Sequence, residues 1–507
     1  MKGFPRALAT GVTSTALAMC WVGCGGYHHQ YRPDTPVTTA VGPEIHFVEA
    51  DDEGWLWAPA QANNAIAAAT EAAEQGDAIV VVFIHGWHHL AKCCDENLEG
   101  FRQVLGKLDE QLGRDMYKEA RSLIHNGDPR RPVRIIGIYV GWRGRAWPGF
   151  LDYLTFWGRK SAAERVGETD LQEFLVRLRD LHQSRQIRPE DLTDPAIAQR
   201  PGKLFGLVEI GHSFGGQVLL RATDPYLEHK LISINPRPGY LRDKTPVDPP
   251  AEPLKAPVEG FGDLVVLINP AVEAAAYQRL HALSRMNFAP AQWPLMLTIS
   301  ATNDGPRKTW FNAGRVAGEI FGGKPGKEAR EDTLERRALG FATEQVTHEL
   351  KPVNPDEKLH KQALAQQADS ACPQCAGKSF DWYDWERKPE PRLRPDSLSA
   401  EVPHGLGGEA RRLAVAKLAH DIACFDFSKQ TTFFDVVLEP KQDAPPLANQ
   451  AFIVAETPPN LVDGHNGMFS RPLMDFLTTY IGFAEAKRLF GMLPPSPDTP
   501  KELQDCP

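Results

Sequence analysis

The sequence lacks the excess of positive charge that is typical of nucleic-acid-binding proteins. Its 56 Lys and Arg residues against 65 Asp and Glu residues give a net charge of -9, so we expect no broad basic surface and no nucleic-acid partner. Beyond the first residues there is no apolar run long enough to span a membrane, and there is no convincing internal repeat. What the chain does have is length: 507 residues, 42% of them hydrophobic, predict one large domain with insertions, or two domains.

The first 23 residues have the pattern of an export signal. Two basic residues precede an apolar stretch that becomes rich in small residues near its end, and Thr and Ser interrupt that stretch too often to favour a transmembrane helix. The segment Trp21-Val-Gly-Cys24 resembles a bacterial lipoprotein processing site, although such signals usually carry Leu where Trp21 stands. The resemblance implies lipidation of Cys24 and a membrane-anchored protein of the cell envelope. Plain secretion, or a fortuitously apolar N-terminus, are the alternatives.

Cysteine is scarce, with eight residues in the chain. If Cys24 is acylated and the signal removed, six remain, and an even number is compatible with disulfides in an exported protein. The sequence does not choose among their many pairings. The segment Cys372-Pro-Gln-Cys375 has no second Cys or His pair at zinc spacing, so a structural disulfide is favoured over a metal or redox site.

Buried strands alternate with amphipathic helices through most of the chain. The apolar runs predict strands at 78–85, 133–140, 204–210, 264–269, 295–300 and 451–456. Helical spacing predicts helices at 60–74, 95–112, 171–181, 409–421 and 472–493. This alternation predicts an α/β fold, a doubly wound and mostly parallel sheet.

The domain organisation follows from where this pattern stops and resumes. Residues 24–43 are polar and contain proline, which predicts a tether, and 44–304 form the core. The charged region 305–447 is expected as a large insertion between the last two strands, with a helix at 328–343 and a loop at 382–395. The core resumes at 448–493, and 494–507 form a tail.

The most informative stretch joins the strand predicted at 204–210 to a helix through Gly211-His-Ser213-Phe-Gly215. Such a turn raises the Ser213 hydroxyl above the end of the sheet, and only glycine leaves room at Gly211 and Gly215. The five-residue pattern alone is weak, because it arises by chance, but its strand-turn-helix setting strengthens it. These residues resemble the nucleophile elbow of the α/β-hydrolase superfamily. The resemblance implies the α/β-hydrolase fold, in which insertions commonly cover the site as a cap.

In that superfamily a nucleophile, an acid and a histidine follow strand ends in this chain order. Asp304 follows the strand at 295–300, and His465 lies on a glycine-flanked loop after the last strand. The resemblance implies that Ser213, Asp304 and His465 form a catalytic triad. Ordinary turn roles for the acid and the histidine are the alternatives, with Glu273 as second choice of acid. His348 and His420, in the charged region, are more simply surface or packing residues.

An acyl-transfer site also needs N–H donors for an oxyanion. The His85-Gly86 pair after the strand at 78–85 resembles the oxyanion motif of lipases and esterases, which implies donors at the backbones of Trp87 and Phe214. Gly86 would let the chain approach the substrate carbonyl. We expect no metal at the neighbouring His88 and His89, because no nearby set of ligands completes a site.

Aromatic residues cluster between the second and third predicted helices. They either line an apolar acyl or alcohol pocket or simply pack in the core; they are Trp142, Trp147, Phe150, Tyr153, Phe156 and Trp157.

The expected function is that of a serine hydrolase acting on carboxylic esters, similar to esterases and lipases. It would need no cofactor, act on a small-molecule or lipid ester, and reach the membrane through its lipid anchor. A peptidase or thioesterase with the same triad is one alternative, and a catalytically silent, membrane-tethered interaction protein is another. The natural substrate and the oligomeric state are left open by the sequence.

Overall fold

A computed structural model describes most of the chain between Gln30 and Met492. The residues it describes are 30–38, 42–112, 133–145, 155–187, 204–234, 252–305, 307, 334, 336–366, 369–386, 408–442, 447–492 and 506. The signal expected at 1–23, the lipidation site Cys24, part of the tether at 24–43 and nearly all of the tail at 494–507 lie outside these ranges.

The strands of the described chain belong to one large sheet and one small one. They are β1 (Glu44–Glu49), β2 (Ala78–Ile84), β3 (Arg134–Gly141), β4 (Phe205–His212), β5 (Leu264–Ile268), β6 (Met296–Ala301), β7 (His348–Pro352), β8 (Leu359–Ala365), β9 (Ser379–Trp385), β10 (Thr431–Phe433), β11 (Val436–Pro440) and β12 (Phe452–Thr457). The large sheet has ten strands in the order β1-β3-β2-β4-β5-β6-β12-β7-β11-β10. Neighbours from β1 to β7 pair parallel, and only β11 runs against its neighbours β7 and β10.

Helices cover both faces of this sheet. They are α1 (Pro59–Gln75), α2 (Glu96–Leu112), α3 (Phe156–Val166), α4 (Asp170–Arg185), α5 (Phe214–Ile234), α6 (Ala274–Ser284), α7 (Gly408–Ala423) and α8 (Arg471–Met492). Buried side chains of α2, α7 and α8 share one hydrophobic cluster, and those of α1, α3, α4, α5 and α6 share another. The described chain is therefore an α/β structure built on a mostly parallel sheet, as predicted.

Strand β2 shows why the sequence folds this way. All seven of its residues are buried, because helices lie on both of its faces. Ile79, Val81 and Phe83 point into one cluster, and Val80 and Val82 into the other. Each such side chain contributes about 1.5–3 kcal/mol of burial free energy, which is why the strand reads as an unbroken apolar run.

The predicted strands are all present, with ends displaced by one or two residues. The region 305–447, expected as an insertion between the last two strands, also takes part in the sheet. Its strands β7, β11 and β10 extend the sheet beyond β12, while β8 and β9 form a separate hairpin. Because β7 and β11 are short, and each contains one or more charged residues and ends in proline, their sequences did not stand out as strands.

Some local predictions were wrong or missing. Residues 337–343, expected to be helical, form a bridge and turns, and β9 occupies the start of the loop predicted at 382–395. Helices α3 and α6 were not predicted.

None of the helices within the described ranges combines the length and apolar character of a membrane span.

Candidate active site

Ser213 lies at the junction of β4 and α5, where the backbone turns sharply. Its φ of 56° is in the left-handed region that non-glycine residues rarely adopt. The Ser213 N–H donates to the Ile268 carbonyl at 3.0 Å, and the Ser213 carbonyl accepts from the Ala271 N–H at 2.9 Å. These bonds to residues at the end of β5 hold the strained conformation in place. The hydroxyl is thereby presented at the carboxyl end of the parallel strands.

Glycines allow three pieces of backbone to meet at this turn. A Cβ on Gly211 would lie 2.7 Å from the Gly215 carbonyl oxygen, and one on Gly215 would lie 2.1 Å from the Ile84 carbonyl oxygen. A Cβ on Gly86 would lie 2.7 Å from the Ser213 Cβ. Any side chain at these positions would force the strand, the helix and the loop after β2 apart.

His465 connects Ser213 to Asp304. Its Nε2 lies 2.7 Å from the Ser213 Oγ, and its Nδ1 lies 2.7 Å from the Asp304 Oδ2. An ionised carboxylate only accepts hydrogen bonds, so Nδ1 carries the proton and Nε2 accepts from the serine hydroxyl. The structure thus brings together three side chains that are far apart in the sequence. His465 lies 252 positions after Ser213 and 161 positions after Asp304.

Asp304 is fully buried and receives several donors. Besides His465, the Arg307 Nε–H donates to its Oδ2 at 2.8 Å, and the Arg307 backbone N–H donates to its Oδ1 at 3.1 Å. Burial alone would raise the pKa of Asp304, but the charges of His465 and Arg307 outweigh it and hold the pKa well below its usual range. The acid is therefore ionised at physiological pH.

The loop that carries His465 is fixed by residues that the sequence did not single out. The Asn269 side-chain amide donates to the His465 carbonyl at 2.9 Å, and His212 Nε2 donates to the same oxygen at 3.0 Å. Burial, together with the charge of His465, lowers the pKa of His212 well below its usual value, so His212 is a neutral donor. Asn303 joins the two loops, since it accepts from the Gly464 N–H at 2.9 Å. In the sequence, Asn269, His212 and Asn303 are distinguished only by their positions at the ends of predicted strands.

The loop after β2 is ordered by His85. The Trp142 N–H donates to His85 Nε2 at 3.1 Å, which leaves Nδ1 to donate to the Gly86 carbonyl at 2.9 Å. Burial lowers the pKa of His85 to about 4, so the ring is neutral. In a trans peptide the C=O and the following N–H point in opposite directions. The Trp87 N–H is consequently directed away from the His85 ring.

The second expected donor, the Phe214 N–H, is the first N–H of α5. The first four N–H groups of a helix have no acceptor within it, and the helix dipole favours negative charge at that end. The Trp87 ring packs against the rings of Phe214 at 6.2 Å and Phe156 at 5.2 Å between centroids. The side chains of Trp87 and Phe214 are both buried, so these ring contacts belong to the hydrophobic core.

The competing assignments have other partners. His89 Nδ1 lies 3.0 Å from the Asp95 carboxylate, and Asn97 contacts its other ring nitrogen at 3.1 Å. Glu273, the second choice of acid, forms an ion pair with Lys160 at 2.9 Å. Among the described residues no cluster of His, Cys, Asp and Glu could hold a metal ion.

The two remaining histidines and the aromatic residues of the candidate pocket have varied surroundings. His348 is buried in β7, where its Nε2 contacts the Ser428 carbonyl at 3.2 Å, and His420 lies on α7 beside Asp421. Of the aromatic residues, Trp142 and Phe156 are buried, whereas Trp157 is 40% exposed. Trp147, Phe150 and Tyr153 lie outside the described residues.

Disulfides tie the loop after β2 to the region of β8 and β9. Adjacent cysteines pair with the two ends of the Cys-Pro-Gln-Cys segment, as Cys93–Cys372 and Cys94–Cys375. The segment is therefore structural, as expected, although its cysteines pair with distant partners and not with each other. The third disulfide is Cys424–Cys506.

No family model, curated protein or solved structure matches this chain. The geometry of the site joins a serine, a histidine and an aspartate by hydrogen bonds at the carboxyl edge of a parallel sheet.

Proposed function

We propose that the protein is a serine hydrolase of the α/β-hydrolase superfamily that cleaves carboxylic esters. The observation that carries this proposal is the continuous hydrogen-bonded chain from the Ser213 Oγ through His465 to Asp304. A serine hydroxyl becomes nucleophilic when a base accepts its proton and an acid orients that base. All three side chains follow the carboxyl ends of parallel strands, where open α/β sheets place their ligands.

The reaction we propose has two halves. The Ser213 Oγ attacks the ester carbonyl while its proton passes to His465 Nε2, and Asp304 stabilises the imidazolium that forms. The N–H groups of Trp87 and Phe214 stabilise the oxyanion. His465 then gives the proton to the departing alcohol, and an acyl-serine remains. Water, deprotonated by His465, releases the acid and restores the serine.

The surroundings of the serine support an apolar ester. The rings of Trp87, Phe156 and Phe214 pack together in the core. The Trp157 ring lies 5.1 Å from Phe156 and is 40% exposed. We propose that Trp157, the exposed member of this aromatic group, contacts the acyl or alcohol part of the substrate. Apolar contact of this kind stabilises binding through area removed from water.

We also propose that the protein is exported and anchored through a lipid on Cys24. Support comes from the three disulfides, since disulfides persist in oxidising compartments outside the cytosol. Mass spectrometry of the mature N-terminus tests this proposal. An acylated cysteine at position 24 is the expected result, whereas an unmodified Met1 would refute export through this signal.

The test of the hydrolase is labelling by a fluorophosphonate probe, combined with turnover of p-nitrophenyl esters of increasing chain length. We expect wild-type protein to be labelled and Ser213→Ala to be unlabelled, with turnover reduced by about 10³-fold or more. Ser184→Ala, at an exposed serine of α4, is the matched control and should behave as wild type. Labelling that survives in Ser213→Ala would refute the assignment of the nucleophile. No labelling of folded wild-type protein would refute the hydrolase.

A further inference from the structure

Arg307 is a buried cation beside the acid of the site. Its side chain is 1% exposed, and it lies three residues after Asp304, whose side chain is fully buried. The Nε–H and the backbone N–H of Arg307 bind the two carboxylate oxygens separately. One residue therefore determines both the position and the rotation of the Asp304 carboxylate.

The Nη1 of the guanidinium is held from three other directions, whereas Nη2 has no hydrogen-bond partner among the described residues. Nη1 donates to the carbonyls of Pro270 at 3.2 Å and Leu339 at 3.1 Å, and to the Ser300 hydroxyl at 3.3 Å. The Phe341 ring lies 4.7 Å from the guanidinium carbon, within the range of a cation–π interaction. These partners belong to the loop after β5, to β6 and to the turns at 337–343, so Arg307 is anchored to the sheet independently of Asp304.

The important feature is a shared acceptor. Asp304 Oδ2 receives the Arg307 Nε–H at 2.8 Å and the His465 Nδ1–H at 2.7 Å. We propose that Arg307 is a positioning residue that holds Asp304 in place and offsets the negative charge that Asp304 presents to His465. This inference rests on the proposed function for its kinetic meaning, although the titration of His465 can be measured without turnover.

The physical reason is the charge that His465 faces when it takes a proton. Without Arg307, the imidazolium would face a full buried negative charge and would be strongly stabilised. With Arg307, it faces a carboxylate and a guanidinium whose charges offset each other, and the guanidinium remains protonated. Arg307 therefore reduces the stabilisation that Asp304 gives to a protonated His465 ring. Arg307 also keeps Asp304 from being an unpaired buried charge while His465 is neutral.

The other groups around His465 do not supply this effect. His212 faces it from the end of β4, with ring centroids 5.3 Å apart, and is neutral through burial. Asp463, on the same loop, accepts from Asn303 at 2.8 Å and is exposed. His89, on the loop after β2, is paired with Asp95. Arg307 is the cation that directly contacts the acid.

The experiment is an NMR titration of the His465 ring in protein labelled with ¹³C-histidine, with the signal assigned by His465→Gln. We expect the midpoint to rise by about one pH unit in Arg307→Met, which removes the charge at similar volume. Arg307→Lys keeps the charge and should stay near the wild-type midpoint. Arg307→Gln provides a second neutral variant should Arg307→Met fail to fold.

Arg488→Met is the matched control. Arg488 is equally buried and contacts Asp263 at 2.6 Å, at the opposite end of β5 from the site. Its substitution should leave the His465 midpoint unchanged. An unchanged midpoint in both neutral variants, or an equal shift in Arg488→Met, would overturn the proposal.

A kinetic measurement separates this inference from the proposed function. The rate of fluorophosphonate labelling is followed against pH in wild type and Arg307→Met, and the acidic limb should move upward with the NMR midpoint, with kcat reduced and KM unchanged. Absence of labelling at every pH would refute the hydrolase alone, because the NMR titration still decides the role of Arg307. If the acidic limb of the labelling rate stayed at the same pH while the NMR midpoint moved, the kinetic role of Arg307 would be refuted.

Discussion

Gly86 and Ser213 are in such close contact that a Cβ on Gly86 would lie 2.7 Å from the Ser213 Cβ and 2.9 Å from the His212 Nδ1. Backbone segments that follow two different strands therefore touch at Ser213. The contact places the loop that carries the expected oxyanion donor next to the Ser213 hydroxyl. It also leaves no room for a side chain at position 86.

Gly86→Ala should reduce kcat by about 10²-fold, because the methyl group displaces the Trp87 N–H from the place where the oxyanion forms. We also expect a loss of about 1–3 kcal/mol in the free energy of unfolding from overpacking. Ester turnover and chemical denaturation measure the two effects. Gly106→Ala is the control: nothing lies within 4 Å of a Cβ there, so this helical variant should gain about 0.5–1 kcal/mol and keep full activity. Full activity in Gly86→Ala would contradict the role of this loop.

Asn303→Ala should reduce kcat by about tenfold with little change in KM. The side chain accepts from the Gly464 N–H and donates to Asp463 at 2.8 Å, so its loss frees the loop that aims His465. Steady-state kinetics provides the measurement. Asp463→Asn retains an acceptor for the Asn303 amide and should remain near wild type, and an equal loss in both variants would argue against loop positioning.

Glu209→Gln should increase the free energy of unfolding relative to wild type, and this increase should be larger at higher pH. Glu209 is fully buried in β4, and both its carboxylate oxygens lack hydrogen-bond partners among the described residues. Burial, reinforced by the charge of Asp263, raises the pKa of Glu209 well above its ordinary value of 4.5.

A raised folded-state pKa means that the folded state binds the proton more tightly than the unfolded state does. The stability from that proton is complete below pH 4.5 and is lost as pH rises towards the folded pKa, by up to about 1.4 kcal/mol per pH unit. Glutamine carries no such dependence. Urea denaturation at pH 5 and pH 8 should therefore show the larger gain at pH 8. Glu71→Gln, exposed on α1, should show no difference, and a gain independent of pH at Glu209 would refute the account.

Removing both disulfides of the loop after β2 should cost activity as well as stability. We expect a loss of about 2–5 kcal/mol and lower kcat under conditions where the protein stays folded, on replacing four residues by serine: Cys93, Cys94, Cys372 and Cys375. Circular dichroism and ester turnover are the measurements. The double variant Cys424→Ser/Cys506→Ser lies in another part of the chain and should lose stability only. Equal kcat losses in both variants would show that the disulfides act through global stability.

Much of this architecture follows from local sequence. The run from Ala78 to Ile84 is apolar on every residue because both of its faces are covered, and that pattern identifies a central parallel strand without a structure. The strained turn at Ser213 could be predicted because only small residues on both sides permit it. The order of Ser213, Asp304 and His465 along the chain could also be predicted, because each residue follows a predicted strand.

Only the tertiary structure decided which of these loop residues meet. Sequence order does not contain the 2.7 Å contacts of His465, nor the choice of Lys160 as partner for Glu273, because both depend on packing between segments far apart in the chain. The disulfide pairing is of the same kind. Arg307 is the clearest case: an arginine on a polar loop predicts a solvated charge, and it became a buried partner of Asp304 because three backbone segments converge around it. Short-range periodicity determines strands and turns, whereas the partners of a buried charge depend on the whole fold.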